Sequence, residues 1–269
     1  MTTPQRQPRV QHVLDVRGTE WLSPHLVRVV AGGASLAEFG GGGHTDAYVK
    51  LLFADPALGL DPPYDLAALR AERRVAVRTY TVRWVDRAAR RLAIDFVTHG
   101  DTGVAAPWAG GAAPGDRLVL SGPGGAYAPD PAAAWHVLAG DLSALPAIAA
   151  SLEAMPGDAA GVAYLEVGDP ADILPLKCPA QVDVRWLVNP DPDDAAFLAR
   201  ALDGGAWPVP PGRVQVFAHG ERESVKAMRA ALRGRAVPRE AISISAYWAR
   251  GRTEDTFQAE KREPVGRID

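Results

Sequence analysis

The pattern of apolar residues changes near residue 130, and this change constrains the fold more than any other feature of the sequence. Before it, short apolar runs alternate with glycine and proline, which is typical of β-strands joined by turns. After it, apolar runs alternate with stretches of helical periodicity, the pattern of a parallel sheet with crossover helices. A length of 269 residues suits two domains of ordinary size. We therefore expect one domain over residues 1–130 and another over residues 131–269.

Six strands are predicted in the first half, at residues 10–16, 26–30, 48–53, 75–83, 92–97 and 118–120. Short strands at this spacing favour a small antiparallel barrel. The second half is predicted to contain five parallel strands, at residues 135–139, 162–167, 182–188, 214–218 and 242–247, with helices at 144–155, 193–202 and 221–232. A last helix is predicted to begin at Thr253. The predicted fold class is a six-stranded antiparallel barrel followed by an α/β nucleotide-binding domain with a C-terminal helix.

Overall charge and cysteine content argue against several classes of protein. A formal net charge of −3 gives no general attraction for nucleic acid. The only cysteine, Cys178, cannot form an internal disulfide and is expected to be a small buried filler in a reducing cytoplasm. The N-terminus lacks a basic and apolar leader, and the chain has no uninterrupted run of about 18 apolar residues. We expect a soluble, cytoplasmic monomer that does not enter membranes.

Residues 78–83, Arg-Thr-Tyr-Thr-Val-Arg, place a cation, an aromatic hydroxyl and two β-branched hydroxyls in one strand. Alternate side chains of a strand point to opposite faces, so Arg78 and Tyr80 share one face while Thr79 and Thr81 share the other. In this arrangement Arg78 can reach a diphosphate, Tyr80 can lie along an isoalloxazine ring, and Thr81 can meet the polar edge of that ring. An ordinary exposed strand with cross-strand pairs is the alternative.

Residues 99–109 follow a predicted strand and combine two glycines with small residues before a tryptophan. If Gly103 opens a short helix, the free backbone N–H groups and the helix dipole favour a diphosphate, with Arg78 neutralising it from the neighbouring strand. The alternative is a plain connection between strand and helix, capped by Asp101 or Thr102.

Two further turns lie at the ends of predicted strands. Residues 140–146 follow an apolar strand of the parallel sheet, where a pyridine nucleotide would dock. This turn lacks the glycine fingerprint of the standard dinucleotide fold, and a helix capped by Asp141 or Ser143 is the alternative. The dipeptide at 220–221 follows another strand with the same ambiguity. Residues 122–125, Gly-Pro-Gly-Gly, are predicted to form a turn that ends the barrel and lets the backbone approach a ring closely.

These motifs, in this order, resemble those of the siderophore-interacting proteins, FAD-dependent ferric-siderophore reductases of the ferredoxin-reductase superfamily. The resemblance runs from about residue 10 to residue 264 and rests on six segments. These are residues 78–83, 99–109, 122–123, 140–146, 220–221 and 247–255.

The resemblance implies three sets of binding residues. FAD is expected to contact Arg78, Thr79, Tyr80, Thr81, Val97, His99, Gly103, Val104 and Ala105. A nicotinamide donor, NADH or NADPH, is expected to contact Asp141, Ser143, Ala144, Gly220 and Glu221. The siderophore pocket is expected to contain Lys50, Lys261 and Arg262. A ferredoxin is the alternative electron donor.

Three positions depart from the pattern of the family. Residues 103–107, Gly-Val-Ala-Ala-Pro, stand where the family commonly has Gly-Pro-Ala and a small hydroxyl residue, so one hydrogen bond to a phosphate is expected to be missing. Ser143 replaces a usual threonine, and Phe257 stands where tryptophan is common. The sequence does not predict how Pro107 affects the affinity for FAD.

The basic residues also have ordinary structural interpretations. Lys261 and Arg262 follow a helix that begins with acids at residues 254–255, an order that complements the helix dipole. Lys50 can be a solvated strand lysine. Cations around a cleft would also concentrate anionic ferric chelates.

The expected reaction is reduction of chelated Fe(III) to Fe(II) through the flavin, which releases iron from the siderophore. No side chain is expected to act as a nucleophile or acid, and no metal site is expected. A flavin-dependent reductase with another acceptor is the first alternative, and a ferric-chelate or flavin carrier without turnover is the second.

Overall fold

The structure is a computed structural model that describes residues 10–40, 42–100, 103–210 and 213–268. In its first half, six antiparallel strands close into a barrel in the order β1-β2-β5-β4-β3-β6. The strands are β1 (Gln11–Ser23), β2 (Leu26–Gly32), β3 (Tyr48–Ala54), β4 (Val75–Asp86), β5 (Arg91–Val97) and β6 (Arg117–Gly124). Two short helices, α1 (Leu66–Ala71) and α2 (Ala105–Gly111), accompany them. The predicted barrel is confirmed.

The second half forms a five-stranded parallel sheet in the order β11-β10-β7-β8-β9. Its strands are β7 (Trp135–Gly140), β8 (Ala160–Val167), β9 (Gln181–Val188), β10 (Val214–Glu221) and β11 (Ile242–Trp248). The helices are α3 (Leu145–Ala154), α4 (Phe197–Gly204), α5 (Arg222–Gly234) and α6 (Glu254–Glu260). The predicted fold class is confirmed, and the boundary at residue 130 stays a prediction.

Strand order gives the sheet a reversal point between β7 and β10. The chain adds β8 and β9 on one side of β7, and then places β10 and β11 on the other. In open parallel sheets, ligands bind beyond the carboxyl ends of the strands at such a point. The loops after Gly140 and Glu221 therefore border the expected ligand crevice.

Several predicted boundaries were wrong. The helix predicted from residue 193 begins at Phe197, because carboxylates of the preceding loop hold backbone N–H groups outside the helix. Asp193 N donates to Asp191 Oδ1 (3.0 Å), and Ala196 N donates to Asp194 Oδ1 (3.2 Å). Strand β1 runs seven residues beyond its predicted end at residue 16.

The predicted turn at residues 122–125 was also wrong, because β6 continues to Gly124. Gly124 pairs with Tyr48 of β3, and a Cβ at Gly124 would lie 2.5 Å from Tyr48 Cζ. The absence of a side chain at Gly124 therefore lets a ring approach the backbone closely, and this ring is the side chain of Tyr48. Cys178 is exposed and is not the predicted buried filler.

An apolar cluster and several polar contacts join the barrel to the sheet. Leu26 of β2 is buried in the same cluster as Leu138 of β7 and Phe217 of β10. The carboxylate of Asp172 is only 2% exposed. It accepts hydrogen bonds from Ser23 Oγ (2.7 Å) at the end of β1 and from the backbone N–H of His25 (3.1 Å) in the turn after β1. The two halves therefore share a packed and hydrogen-bonded interface.

Strand β4 is tied directly to α3. Arg83 donates from Nη1 and Nη2 to the two carboxylate oxygens of Glu153, at 2.9 and 2.6 Å. This hydrogen bonding lowers the pKa of Glu153. The contact positions one face of β4 against the second domain.

Within the described part of the chain, no helix combines the length and the apolar character needed to cross a lipid bilayer.

Candidate functional site

Strand β4 lies at the junction of the two domains and directs its side chains as the alternation predicts. Tyr80 and Val82 pack with the barrel core. Thr79 and Arg83 instead reach α6 and α3 of the second domain. Thr81 is 7% exposed. The strand is therefore held between barrel core and sheet domain, where a group bound along it would contact both.

Tyr80 belongs to an aromatic cluster in the barrel. Its ring centroid lies 4.4 Å from that of Phe96, which lies 5.9 Å from Trp108 of α2. Burial raises the pKa of Tyr80, and the nearby Glu254 carboxylate acts in the same direction. The phenol therefore stays protonated at neutral pH and can donate a hydrogen bond.

Arg78 carries a cation at the same strand. Its side chain is 15% exposed, and Nη1 donates to the Val77 carbonyl (2.9 Å). Its contacts with Asp255 of α6 are longer, at 3.3 to 3.4 Å, and Asp255 is 73% exposed. An exposed pair at such distances is weak. Arg78 can therefore exchange Asp255 for a stronger anion.

Lys50 and Lys261 lie close enough for their charges to interact. Lys50 lies opposite Thr79 in the pairing of β3 with β4 and donates to its hydroxyl. Lys261 Nζ lies 4.5 Å from the ring centroid of Phe257. Desolvation lowers the pKa of Lys261, the Lys50 ammonium lowers it further, and the Glu254 carboxylate opposes both.

The third predicted basic residue is less constrained. Arg262 is exposed just beyond α6, and its backbone N–H donates to the Ala259 carbonyl (3.3 Å). Lys261 and Arg262 are therefore both exposed, and of the two only the Lys261 ammonium packs over an aromatic ring and interacts with the charge of Lys50.

The start of α2 offers backbone N–H groups near the barrel. Gly103 has φ of +87°, which favours glycine, and the N-cap residue Val104 makes no side-chain hydrogen bond to the helix. The alternative caps, Asp101 and Thr102, lie outside the described residues. Pro107 falls in the first turn, where its missing N–H costs no intrahelical hydrogen bond.

Two other predicted flavin residues lie between β5 and α2. Val97 is the last residue of β5 and pairs with Leu26 of β2. His99 is exposed two residues later. With Arg78 supplying a cation and α2 supplying uncapped N–H groups, the donor set suits an anionic diphosphate.

Asp141 joins the carboxyl ends of three strands. Its Oδ1 accepts from the backbone N–H (2.8 Å) and the hydroxyl (2.5 Å) of Ser143. Its Oδ2 accepts from Glu221 N (2.9 Å) at the end of β10 and from Trp248 Nε1 (2.8 Å) at the end of β11. Neither Asp141 nor Ser143 caps α3, whose N-cap is Ala144 without a side-chain hydrogen bond. The alternative was therefore wrong about the N-cap residue, although Asp141 does hold the turn before α3, because its carbonyl oxygen accepts from Leu145 N (3.1 Å).

Gly220 and Glu221 complete this edge of the sheet. Gly220 has φ of +148°, and a Cβ there would lie 2.8 Å from Asp141 Oδ2, so the position requires glycine. Glu221 caps α5 by accepting from Ser224 N (3.1 Å), while its other oxygen accepts from Arg250 N (3.0 Å). The Glu221 carboxylate is thus already engaged in holding the loop.

Sequence reasoning missed two aromatic residues between the nucleotide edge and β4. The His219 ring lies 4.0 Å from Phe217 and 4.9 Å from Tyr247, centroid to centroid. Burial lowers the pKa of His219 to about 3, so its imidazole is neutral at physiological pH. Burial raises the pKa of Tyr247, and the nearby Thr81 hydroxyl opposes this shift. Their positions at strand ends were the available signal.

Metal ligands do not cluster in the described residues: no group of three or more His, Cys, Asp or Glu side chains among them is placed to hold an ion.

Comparison with known proteins identifies both halves of the chain. Residues 15–127 match a family described as the siderophore-interacting FAD-binding domain, and residues 133–251 match the siderophore-interacting protein family. The fold and the FAD-binding domain define a flavin-dependent oxidoreductase. The chain belongs to the siderophore-interacting protein family.

Relatives cover almost the whole chain. An uncharacterized protein of Mycobacterium tuberculosis is 48% identical and covers 95% of this chain and 96% of that protein. The ferric vibriobactin reductase of Vibrio cholerae is 38% identical, with 93% of each protein covered. The NADPH-dependent ferric-chelate reductase of Escherichia coli is 29% identical, covering 91% of this chain and 98% of that protein.

Solved structures agree on the architecture. The siderophore-interacting protein SipS from Aeromonas hydrophila has a TM-score of 0.81 at 31% identity, covering 95% of this chain and 98% of that chain. A siderophore utilization protein from T. fusca has a TM-score of 0.80 at 35% identity, covering 93% and 96%. The ferredoxin reductase in carbazole 1,9a-dioxygenase, at 19% identity, shares the fold with a TM-score of 0.66, covering 90% and 71%.

Proposed function

We propose that this protein is a ferric-siderophore reductase, in which the residues of β4 would hold FAD and the neighbouring lysines would hold Fe(III) in its chelator beside it. The observation that carries the proposal is that Lys50 binds the Thr79 hydroxyl on the strand that suits the flavin, with the Lys261 ammonium close enough to interact with the charge of Lys50. Two cations next to an electron carrier attract an anionic chelate to the distance that electron transfer needs. The reductases among the relatives support this substrate class.

FAD fits the residues of the barrel edge. Arg78 and the first turn of α2 supply a guanidinium and backbone N–H groups for the diphosphate. Tyr80 can lie along the ring system, and the Thr81 hydroxyl can meet its polar edge. We assign FAD the predicted set Arg78, Thr79, Tyr80, Thr81, Val97, His99, Gly103, Val104 and Ala105.

We place the nicotinamide donor at the reversal point of the sheet, at the predicted residues Asp141, Ser143, Ala144, Gly220 and Glu221. The carboxylates of Asp141 and Glu221 accept hydrogen bonds that fix the two loops bordering the crevice. Their contribution to binding is therefore to position backbone. An NADPH-dependent relative supports NADPH as donor, with NADH and a ferredoxin as the alternatives.

Bound FAD supplies the conversion of a two-electron input into single electrons, and chelating oxygens hold the resulting Fe(II) less tightly than Fe(III). The protein's own residues bind and orient. Lys50 and Lys261 hold the chelate, Arg78 holds the diphosphate, and Tyr80 and Phe96 form the apolar wall behind the strand. We place the reaction in the cytoplasm and in a monomer, and both stay predictions.

Charge reversal at the two lysines tests the proposal. In Lys50→Glu and Lys261→Glu, we expect the KM for an anionic ferric chelate to rise about tenfold or more, because attraction becomes repulsion. Reduction of an uncharged dye by the same preparations should change little. Steady-state kinetics with a ferrous trap measure the first rate, and dye bleaching measures the second.

Lys177→Glu is the matched control, since Lys177 is exposed in the loop before β9. It makes the same change of charge, and its KM for the chelate should stay near that of the wild type. Equal losses with chelate and dye in the Lys50 and Lys261 variants would contradict a chelate pocket and indicate a flavin-dependent reductase with another acceptor.

A further inference from the structure

Glu254 places a carboxylate among the cations of the proposed chelate pocket. Its Oε1 accepts hydrogen bonds from Thr79 Oγ1 (3.1 Å) and Gln258 Nε2 (3.2 Å). Lys50 donates to the same Thr79 hydroxyl. The hydroxyl therefore joins an ammonium to a carboxylate, and two donors fix Glu254 in place.

The charge of Glu254 acts on its surroundings. It raises the pKa of Lys261, against the desolvation and the Lys50 ammonium that lower it. It also contributes to the raised pKa of Tyr80, whose main cause is burial. Its carboxylate therefore lies within electrostatic reach of Lys261 and of Tyr80 on β4.

The neighbouring acid has a different position. Asp255 is 73% exposed and pairs with Arg78, so water and salt screen most of its charge. Glu254 is partly buried against β4, where screening is weaker. Of these two acids in the first turn of α6, Glu254 has the stronger effect on the pocket.

We propose that Glu254 limits the charge preference of the chelate pocket, reducing the advantage that the two lysines give to strongly anionic ferric chelates over chelates of low charge. The inference rests on the proposed function and names the substrate class of the same site. A fixed carboxylate repels a chelate in proportion to the negative charge of that chelate, while the lysines attract it. Glu254 thereby offsets part of the attraction between the lysines and a highly charged chelate.

The test compares two chelates of different charge. Gallium(III) replaces Fe(III), because it has the same charge and is not reduced under these conditions, so calorimetry can report binding without turnover. A tris-hydroxamate complex has an uncharged metal core, and a tris-catecholate complex has a strongly anionic one. In Glu254→Gln, which keeps an acceptor oxygen for Thr79, we expect the Kd for the tris-catecholate to fall about fivefold.

The matched measurements isolate charge from shape. The Kd of the tris-hydroxamate complex should stay within about twofold of the wild-type value in Glu254→Gln, and the gain for the tris-catecholate should shrink at high salt. Glu254→Asp should keep the wild-type ratio of the two Kd values. The control is Glu240→Gln, which removes a carboxylate from the exposed turn before β11. This turn lies at the start of β11, whereas Glu254 follows its end, so the variant should change neither Kd.

Two outcomes would overturn the assignment separately. If Glu254→Gln changes both Kd values equally, or if the change in Kd is the same at low and high salt, Glu254 is a structural residue of α6 and the proposed function stands. If neither the wild type nor the variants bind either complex, the proposed function is contradicted, and so is the proposed role of Glu254 in selectivity.

Discussion

Replacing Arg78 with alanine should weaken FAD binding about a hundredfold. Arg78 is the β4 cation that is paired only weakly, with Asp255, and hydrogen bonds from a guanidinium to a diphosphate contribute about 1.5 to 3 kcal/mol each. Losing two of them corresponds to a factor of about one hundred or more in Kd. Titration of the cofactor-free protein with FAD, followed by quenching of flavin fluorescence, measures the effect.

The matched control is Arg91→Ala, on the adjacent strand β5. Arg91 is half exposed and pairs with Asp86 at 3.3 Å, so removing it takes an equal charge from the barrel without touching the proposed site. Its Kd for FAD should match that of the wild type. Unchanged FAD binding in Arg78→Ala would contradict the placement of the flavin along β4.

Replacing Asp141 with asparagine should lower the free energy of unfolding by about 2–4 kcal/mol, because the variant leaves donors without an acceptor. The carboxylate uses Oδ1 for Ser143 and Oδ2 for Glu221 N and Trp248 Nε1. An amide has a single oxygen, so its NH₂ group must face backbone or indole N–H donors whichever way it is turned. Urea denaturation followed by tryptophan fluorescence measures the change.

Asp203→Asn serves as the control, because Asp203 is exposed near the end of α4. Its free energy of unfolding should differ from that of the wild type by less than about 0.5 kcal/mol. A loss that small in Asp141→Asn would show that the junction of the three strand ends does not depend on the carboxylate.

Periodicity was sufficient to predict both sheets and the faces of β4. The side chains of Tyr80 and Val82 point to the barrel core because a strand alternates, whatever its neighbours are. Local pattern was insufficient for α4, where Asp191 and Asp194 hold the backbone in turns before Phe197. Competition from side-chain carboxylates is not visible in hydrophobic periodicity.

Site residues that lie within one segment could be predicted from the sequence. Contacts between distant segments could not. Glu254 and Asp255 were interpreted as acids at a helix start, and they do follow the N-cap Thr253, whose hydroxyl accepts from Thr256 N (3.2 Å). Their contacts with Thr79 and Arg78 join residues about 175 positions apart. Only the packing of α6 against β4 reveals such contacts.

The same limit applies to the edge of the parallel sheet. Glu221 was expected at the nicotinamide donor, and its carboxylate caps α5 and binds Arg250 N. Tyr247 and His219 become neighbours because β11 pairs with β10, which no local pattern of either strand predicts. The sequence indicated which strand ends matter, and the fold determined which side chains meet there.

The most direct test follows iron through the purified protein. FAD-loaded protein is reduced anaerobically with NADPH, NADH or reduced ferredoxin, and a ferric siderophore is then added with a ferrous trap. We predict that the yellow colour disappears with at least one donor and returns on addition of the chelate, while the trap reports Fe(II) in proportion to protein. A flavin that no donor bleaches, or a bleached flavin that stays reduced beside the chelate with no Fe(II) trapped, would contradict the proposed reductase.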